Sequence, residues 1–258
     1  MLSLKKGRYA ARFAETAQDL QAAQQLRARA FFGPSGTEAA EAGKDTTYDA
    51  RLDADDFDQI CTHVLVEDQR DGRLVCCFRI LPLSAGREIG RSYSAQYYEL
   101  SGLEAFDGPM VEMGRFCMDP ECRDPDILRI AWAAMTAYVD ENGVEMLFGC
   151  SSFKGTDAEA YLDAFAMLKE RHLAPKRFLP RVKAPSVFRF AQKLRRKPDL
   201  KRAALAMPPL LRTYLLMGGW VSDHAVVDAR MNTLHVFTGL EIRAIPPARK
   251  RLLRTAAG

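Results

Sequence analysis

Residues 109–118 read PMVEMGRFCM, an apolar run of strand length interrupted by Glu112 and Arg115. The chain on either side says what kind of sheet this strand joins. After it, Asp124-Pro125 puts proline at the first helical position of a helix over 126–142, which Gly143 ends, and EMLFGC at 145–150 is a further strand. Before it, THVLVE at 62–67 and LVCCFRILPL at 74–83 form a hairpin around Asp71-Gly72, and Pro82 marks the far end because proline cannot donate to a ladder. Further out, Arg8 to Glu15 is a first strand. Leu20, Ala23, Leu26, Ala30 and Phe31 recur at helical spacing through 17–32, and Gly33-Pro34-Ser35-Gly36 stops that helix. Ser94 to Leu103 predicts a short helix, and Thr156-Asp157 caps another that runs to about His172. Strands alternating with helices around one hairpin make an α/β protein with a mixed sheet.

After Ala174 the pattern weakens. Residues 1–174 are read as the core and 175–258 as a basic C-terminal region that packs on it or faces a partner. Pro175, Pro180 and Pro185 mark irregular chain, Phe188 to Lys197 predicts a basic amphipathic helix, and 226–237 carries apolar residues at strand-like intervals. Lys176 to Arg202 holds 11 Lys or Arg against Asp199 alone, whereas Glu38 to Asp58 holds eight acids against Lys44 and Arg51. Such a basic run suits an acidic protein, an anionic membrane or a nucleic acid, or is a solvated face. Its few aromatics, Phe178, Phe188 and Phe190, give little platform for stacking single-stranded bases. The apolar stretch Leu205 to Val221 is broken by Pro208-Pro209 and Arg212, so a transmembrane helix is not expected, and no signal peptide is read at residues 1–12. Six cysteines without a CxxC pair and four histidines argue against a zinc site or a disulfide framework and suit the reducing cytoplasm.

Four polar clusters need a reason. Arg27 and Phe31 close the first helix, Asp53, Asp55, Phe57 and Asp58 end the long acidic loop, Arg79 lies in an otherwise apolar strand, and Glu112 and Arg115 share another. A buried charge is costly unless paired, solvated in a cleft or functional. In a regular strand Glu112 and Arg115 face opposite sides, and a bulge at Gly114 would bring them closer. Each charge alone reads as part of a structural ion pair among Glu112, Arg115 and Arg79. The acidic loop over 37–58 reads as a long functional loop, with a merely exposed one as the alternative, and Cys117 reads as a packed thiol.

Taken in order, the clusters resemble those of the acyl-homoserine lactone synthases. Arg27-Ala28-Arg29-Ala30-Phe31 matches that family's first-helix pattern, Asp53, Asp55 and Asp58 its acidic loop, Arg79-Ile80-Leu81-Pro82 its R-L-L-P strand, and Glu112 to Phe116 its E-x-x-R-F strand. The chain is still more similar to the bacterial ornithine N-acyltransferases. It shares with them Asp53, Asp55, Phe57, Asp58, Cys61 and His63, then Glu112, Gly114, Arg115 and Cys117, then Gly149 to Phe153, and the tail around Pro208 to Leu215.

That resemblance implies a GNAT-like fold: a mixed, mostly antiparallel central sheet flanked by helices, with a basic C-terminal extension. It also implies a 3-hydroxyacyl donor on acyl carrier protein and L-ornithine as acceptor. No cofactor is bound; the donor brings its own 4'-phosphopantetheine thioester. Residues 121–128, ECRDPDIL, lack the glycines with which coenzyme A users hold a pyrophosphate, which fits a carrier-protein donor. Acyl transfer to an amine needs a neutral amine, an oriented thioester and donors for the oxyanion. Glu112 is the candidate base, the backbone of Gly114 to Phe116 the candidate oxyanion hole, and Arg115 and Arg79 the organisers of the loop or of the ornithine carboxylate. Asp53, Asp55 and Asp58, with Arg27, are candidates for binding ornithine, Phe31 and Phe57 for the acyl chain, and Ser151 or Ser152 for pantetheine. The expected setting is the cytoplasm, peripheral to the anionic inner membrane. The competing readings are an autoinducer synthase and a non-catalytic basic module for membrane or nucleic acid.

Overall fold

The computed structural model describes residues 3–33 and 52–257. Its strands are β1 (Ser3–Lys6), β2 (Tyr9–Phe13), β3 (Thr62–Asp68), β4 (Leu74–Leu83), β5 (Tyr98–Glu99), β6 (Met110–Met118), β7 (Met146–Lys154), β8 (Arg181–Val182), β9 (Val187–Phe188), β10 (Trp220–Val221), β11 (Ala225–Asp228) and β12 (Thr233–Glu241). Its helices are α1 (Ala17–Phe32), α2 (Pro125–Glu141), α3 (Leu162–Arg171), α4 (Phe190–Lys193), α5 (Leu200–Ala206), α6 (Pro209–Leu216) and α7 (Pro247–Ala257). They form two compact units, and the chain passes between them within β4 and β6 and near Gly143 and Pro246.

The first unit holds residues 1–81, 113–143 and 247–258. Its strands run β1-β2-β3-β4-β6, with β1 antiparallel to β2, β2 to β3 and β3 to β4. Helix α1 starts where expected because Thr16 and Asp19 close a capping box. It buries Ala23 and Leu26 against Leu65, Cys77 and Cys117. Asp124 caps α2 with Pro125 at its first turn, and Arg254 of α7 pairs with Asp140 of α2 at 2.9 Å.

The second unit holds residues 82–112 and 144–246. Here β6 pairs with β7 in parallel over three residue pairs, ending at Glu112 opposite Phe148. Strand β7 pairs antiparallel with β12 over nine, from Met146–Glu241 to Lys154–Thr233, and β11 and β9 extend that edge. The core is aromatic: Phe165 stacks on Phe190 at 5.2 Å and Phe148 on Phe237 at 5.7 Å.

Several expectations change. Strand β1 lacks an apolar signal, since its residues alternate only between exposed and half-buried. The helix expected over Ser94 to Leu103 is two 3-10 turns, Ser94–Gln96 and Ser101–Leu103, around β5. Buried Tyr98 pairs with Val182 there, and that pairing straightens the chain. Strand β7 extends four residues beyond Cys150 because β12 supplies a partner for each. The basic helix over Phe188 to Lys197 is β9 followed by the single turn α4: Phe188 is held opposite Ala225, and Phe190 turns into the core. The expected break after Ala174 matches neither unit, because β12 sits beside β7 while α7 belongs to the first unit. No helix among the described residues is long and apolar enough to cross a membrane.

Candidate active site

In the first unit, three arginines and three aspartates close on one another. Arg27, on the buried face of α1, donates from Nε to Asp53 at 2.9 Å and from a terminal nitrogen to Asp58 at 2.8 Å, and also meets the Asp53 carbonyl. Arg79 of β4 grips Asp55 with both terminal nitrogens, at 2.5 and 2.9 Å, and reaches Asp58 at 2.9 Å. Arg115 of β6 donates to Asp53 at 3.0 Å and to Asp55 at 3.3 Å. Gln24 adds a bond to Asp58 at 2.9 Å, and the His63 ring nitrogen lies 3.1 Å from the Asp58 carbonyl. Six formal charges cancel, and forked guanidinium–carboxylate geometry offsets the cost of burying them.

Local sequence sets up this network. Asp55 caps the 3-10 turn Asp56–Gln59 by accepting from the Phe57 amide, and the Asp53 amide donates to the Gln24 carbonyl of α1. Burial pushes the Asp58 carboxyl up, but the bond and charge of Arg27, the Gln24 bond and the charge of Arg79 together outweigh that and bring it to about 2. Asp55 is likewise held below the ordinary carboxylate range, burial opposing and Arg79 prevailing. His63 is pushed down by its own burial, which keeps it neutral beside the arginines. The Arg79 guanidinium stands 5.3 Å over the Phe57 ring, a cation–π contact, while Phe31 packs on the Leu26–Cys117 cluster.

Strand β6 breaks its regular course at Arg115, whose φ is 51°, one residue beyond the expected bulge at Gly114. A β-strand residue with a side chain seldom adopts that left-handed conformation. The turn replaces simple alternation, so Arg115 reaches Asp53 and Asp55. Cys117 lies buried 3.6 Å from Cys77, its thiol pushed up by burial, as a packed rather than nucleophilic thiol would be.

Glu112 belongs to the second unit and has a different set of partners. Its buried carboxylate accepts from the Tyr93 and Ser94 amides, both at 2.8 Å, and from the Ser94 hydroxyl at 2.5 Å. That hydroxyl lies 3.4 Å from the Cys150 sulfur of β7. Tyr214 is buried, and its hydroxyl is pushed up by burial and by the charge of Glu112. Sequence reasoning missed Tyr93, Ser94, Cys150 and Tyr214; the one available signal was a serine at the start of the supposed 94–103 helix. The serines of β7 divide: Ser151 is buried and accepts from Thr238 at 2.9 Å, while Ser152 is exposed.

The mixed, mostly antiparallel sheet flanked by helices, on which these two groups stand, is a GNAT-like α/β fold. Residues 26–133 match the family described as Acetyltransferase (GNAT) domain. The L-ornithine N(alpha)-acyltransferase of Rhodobacter capsulatus is 35% identical over 243 residues, spanning 92% of this chain and 91% of that protein. That of Brucella abortus is 30% identical over 245 residues, spanning 91% and 84%. The chain belongs to the L-ornithine N(alpha)-acyltransferase family. Among solved structures it is similar to FeeM, an N-acyl amino acid synthase from uncultured soil microbes, with a TM-score of 0.45 and 12% identity over 92% of each chain.

Proposed function

We propose that this enzyme moves a 3-hydroxy fatty acyl group from acyl carrier protein to the α-amine of L-ornithine, releasing a lyso-ornithine lipid. Membership of the ornithine acyltransferase family carries the reading. Glu112, held by the Tyr93 and Ser94 amides and the Ser94 hydroxyl, takes the proton of the α-ammonium, directly or through water. Backbone N–H groups at Gly114 to Phe116, where Arg115 turns the strand, receive the oxyanion. The arginine–aspartate network holds residues 53–58 in place; Asp55, whose side chain keeps 22% of its exposure, is the acid of the three open to the ornithine side-chain ammonium. Phe31 and Phe57 border the acyl chain, and Ser152 is the serine of its pair open to the pantetheine arm.

The carrier-protein donor is supported by the start of α2. Asp124 occupies the cap and Asp126 the first turn, so carboxylates stand where a pyrophosphate would need bare N–H groups. The direct test is Glu112→Gln, assayed with ornithine and a 3-hydroxyacyl carrier protein. Turnover should fall about 100-fold or more; near-native turnover at every pH would remove Glu112 from the chemistry.

A further inference from the structure

The molecule leaves a group of aliphatic side chains in water. Among the described residues five large hydrophobic side chains are exposed, and three of them, Leu200 (45%), Leu205 (78%) and Leu216 (50%), lie in α5 and α6. The two helices are tied: the Arg212 guanidinium of α6 donates to the carbonyls of Ala204 and of Met207, the latter at 3.2 Å. Ala203 of α5 and Leu211 and Tyr214 of α6 are the residues they bury. Leu205 therefore stands out from a braced hairpin rather than from a loose end.

The same segment is strongly cationic. Residues 193–216 contain Lys193, Arg195, Arg196, Lys197, Lys201, Arg202 and Arg212 against the single acid Asp199. Arg196 is spent on Asp163 at 2.7 Å, and Arg202 lies 3.7 Å from Asp199. Arg195, Lys197 and Lys201 are exposed and make no ion pair among the described residues. Exposed leucines in a segment rich in exposed lysine and arginine match the interface of a bilayer, where hydrocarbon takes up the leucines and anionic headgroups meet the charges.

We infer that the α5–α6 hairpin docks this enzyme on the surface of an anionic phospholipid bilayer, with Leu205 inserted and Arg195, Lys197 and Lys201 on the headgroups. The choice of a bilayer over an acidic protein rests, in one respect, on the proposed reaction: its product is a single-chain amphiphile that partitions into lipid.

The test needs no catalysis. The purified full-length protein is floated with phosphatidylglycerol–phosphatidylcholine vesicles and with phosphatidylcholine vesicles. Binding is expected to the first and not the second, and to weaken as salt is raised. Leu205→Asp combined with Lys201→Glu should lower partitioning about tenfold or more, with the thermal transition and the turnover of carrier-bound donor in vesicle-free solution unchanged. Equal binding by native and variant protein, or no vesicle binding at all, overturns the inference. So does retained vesicle binding with a raised KM for the acyl carrier protein, which would assign the hairpin to the donor. Absence of acyltransferase activity with intact vesicle binding would instead count against the proposed function alone.

Discussion

Replacing Arg27 by methionine would leave Asp53 and Asp58 buried without their shared cation. Breaking one side of a buried ion network in this way costs about 3–5 kcal/mol, far more than the pair gains over an apolar substitute. Arg27→Met should lower the denaturant midpoint accordingly, and an unchanged midpoint would mean that Arg79 and Arg115 suffice to hold the acids. Protons act on the same groups. Folded Asp58 titrates at about 2, below the unfolded value of about 3.9, so its stabilisation is complete above that value and is lost as pH falls through 2. His235 acts at higher pH: burial lowers it to about 4, so between about 6.5 and 4 the unfolded chain binds a proton that the folded one refuses. Stability should therefore drop as pH falls through that window, by up to about 1.4 kcal/mol per pH unit for this one group. His235→Gln should flatten the slope in urea titrations between pH 7 and 4; an identical slope would assign the acid sensitivity elsewhere. Arg79 was legible in the sequence because a charge amid apolar neighbours demands a partner, whereas Arg27 and the three aspartates stood out through their order in the family resemblance. Which acid each arginine meets was not legible, since Arg115 reaches its two only through a left-handed backbone that no side-chain pattern announces.

Periodicity located the long elements well. Helix α1 falls on its expected bounds, and β3, β4, β6 and α2 lie within a residue or so of theirs. It failed over 94–103, where the chain is shaped by what it grips. Two amides and the Ser94 hydroxyl are committed to Glu112, and buried Tyr98 adds a hydroxyl bond to the His235 carbonyl at 2.8 Å. A helix there would compete with those long-range bonds, which a local reading cannot see. The turn also makes a prediction. If Glu112 is the base, Ser94→Ala removes the hydroxyl donor to it but neither amide, so the carboxylate stays placed while its basicity changes. The acid limb of the kcat/KM–pH profile should move, with the ornithine KM little altered and the melting temperature nearly kept, and Ser94→Thr should restore the profile. A profile that does not move would make Ser94 a structural residue only.

The path of the chain through the two units decides how it can be divided. The first unit draws on three separate stretches, including 247–258, and most of the second comes from 144–246. The weakening of pattern after Ala174 reflects short elements, β8 to β11 and α4, whose two to four residues are too few to show a period. It does not mark a dispensable tail. A fragment ending at Ala174 would keep β7 but lose β12, the partner of all nine of its residues, along with the buried Phe190, Val221, Leu234, Val236 and Phe237. It would also lose α7 and its Arg254 pair with Asp140. An unpaired apolar edge of that length is a template for association rather than a stable boundary. Residues 1–174 alone should elute as aggregate and give no cooperative thermal transition by circular dichroism. The same chain cut between 174 and 175 but supplied with residues 175–258 in trans should recover one. A sharp transition from the short fragment by itself would show that the strands before Ala174 form a complete core.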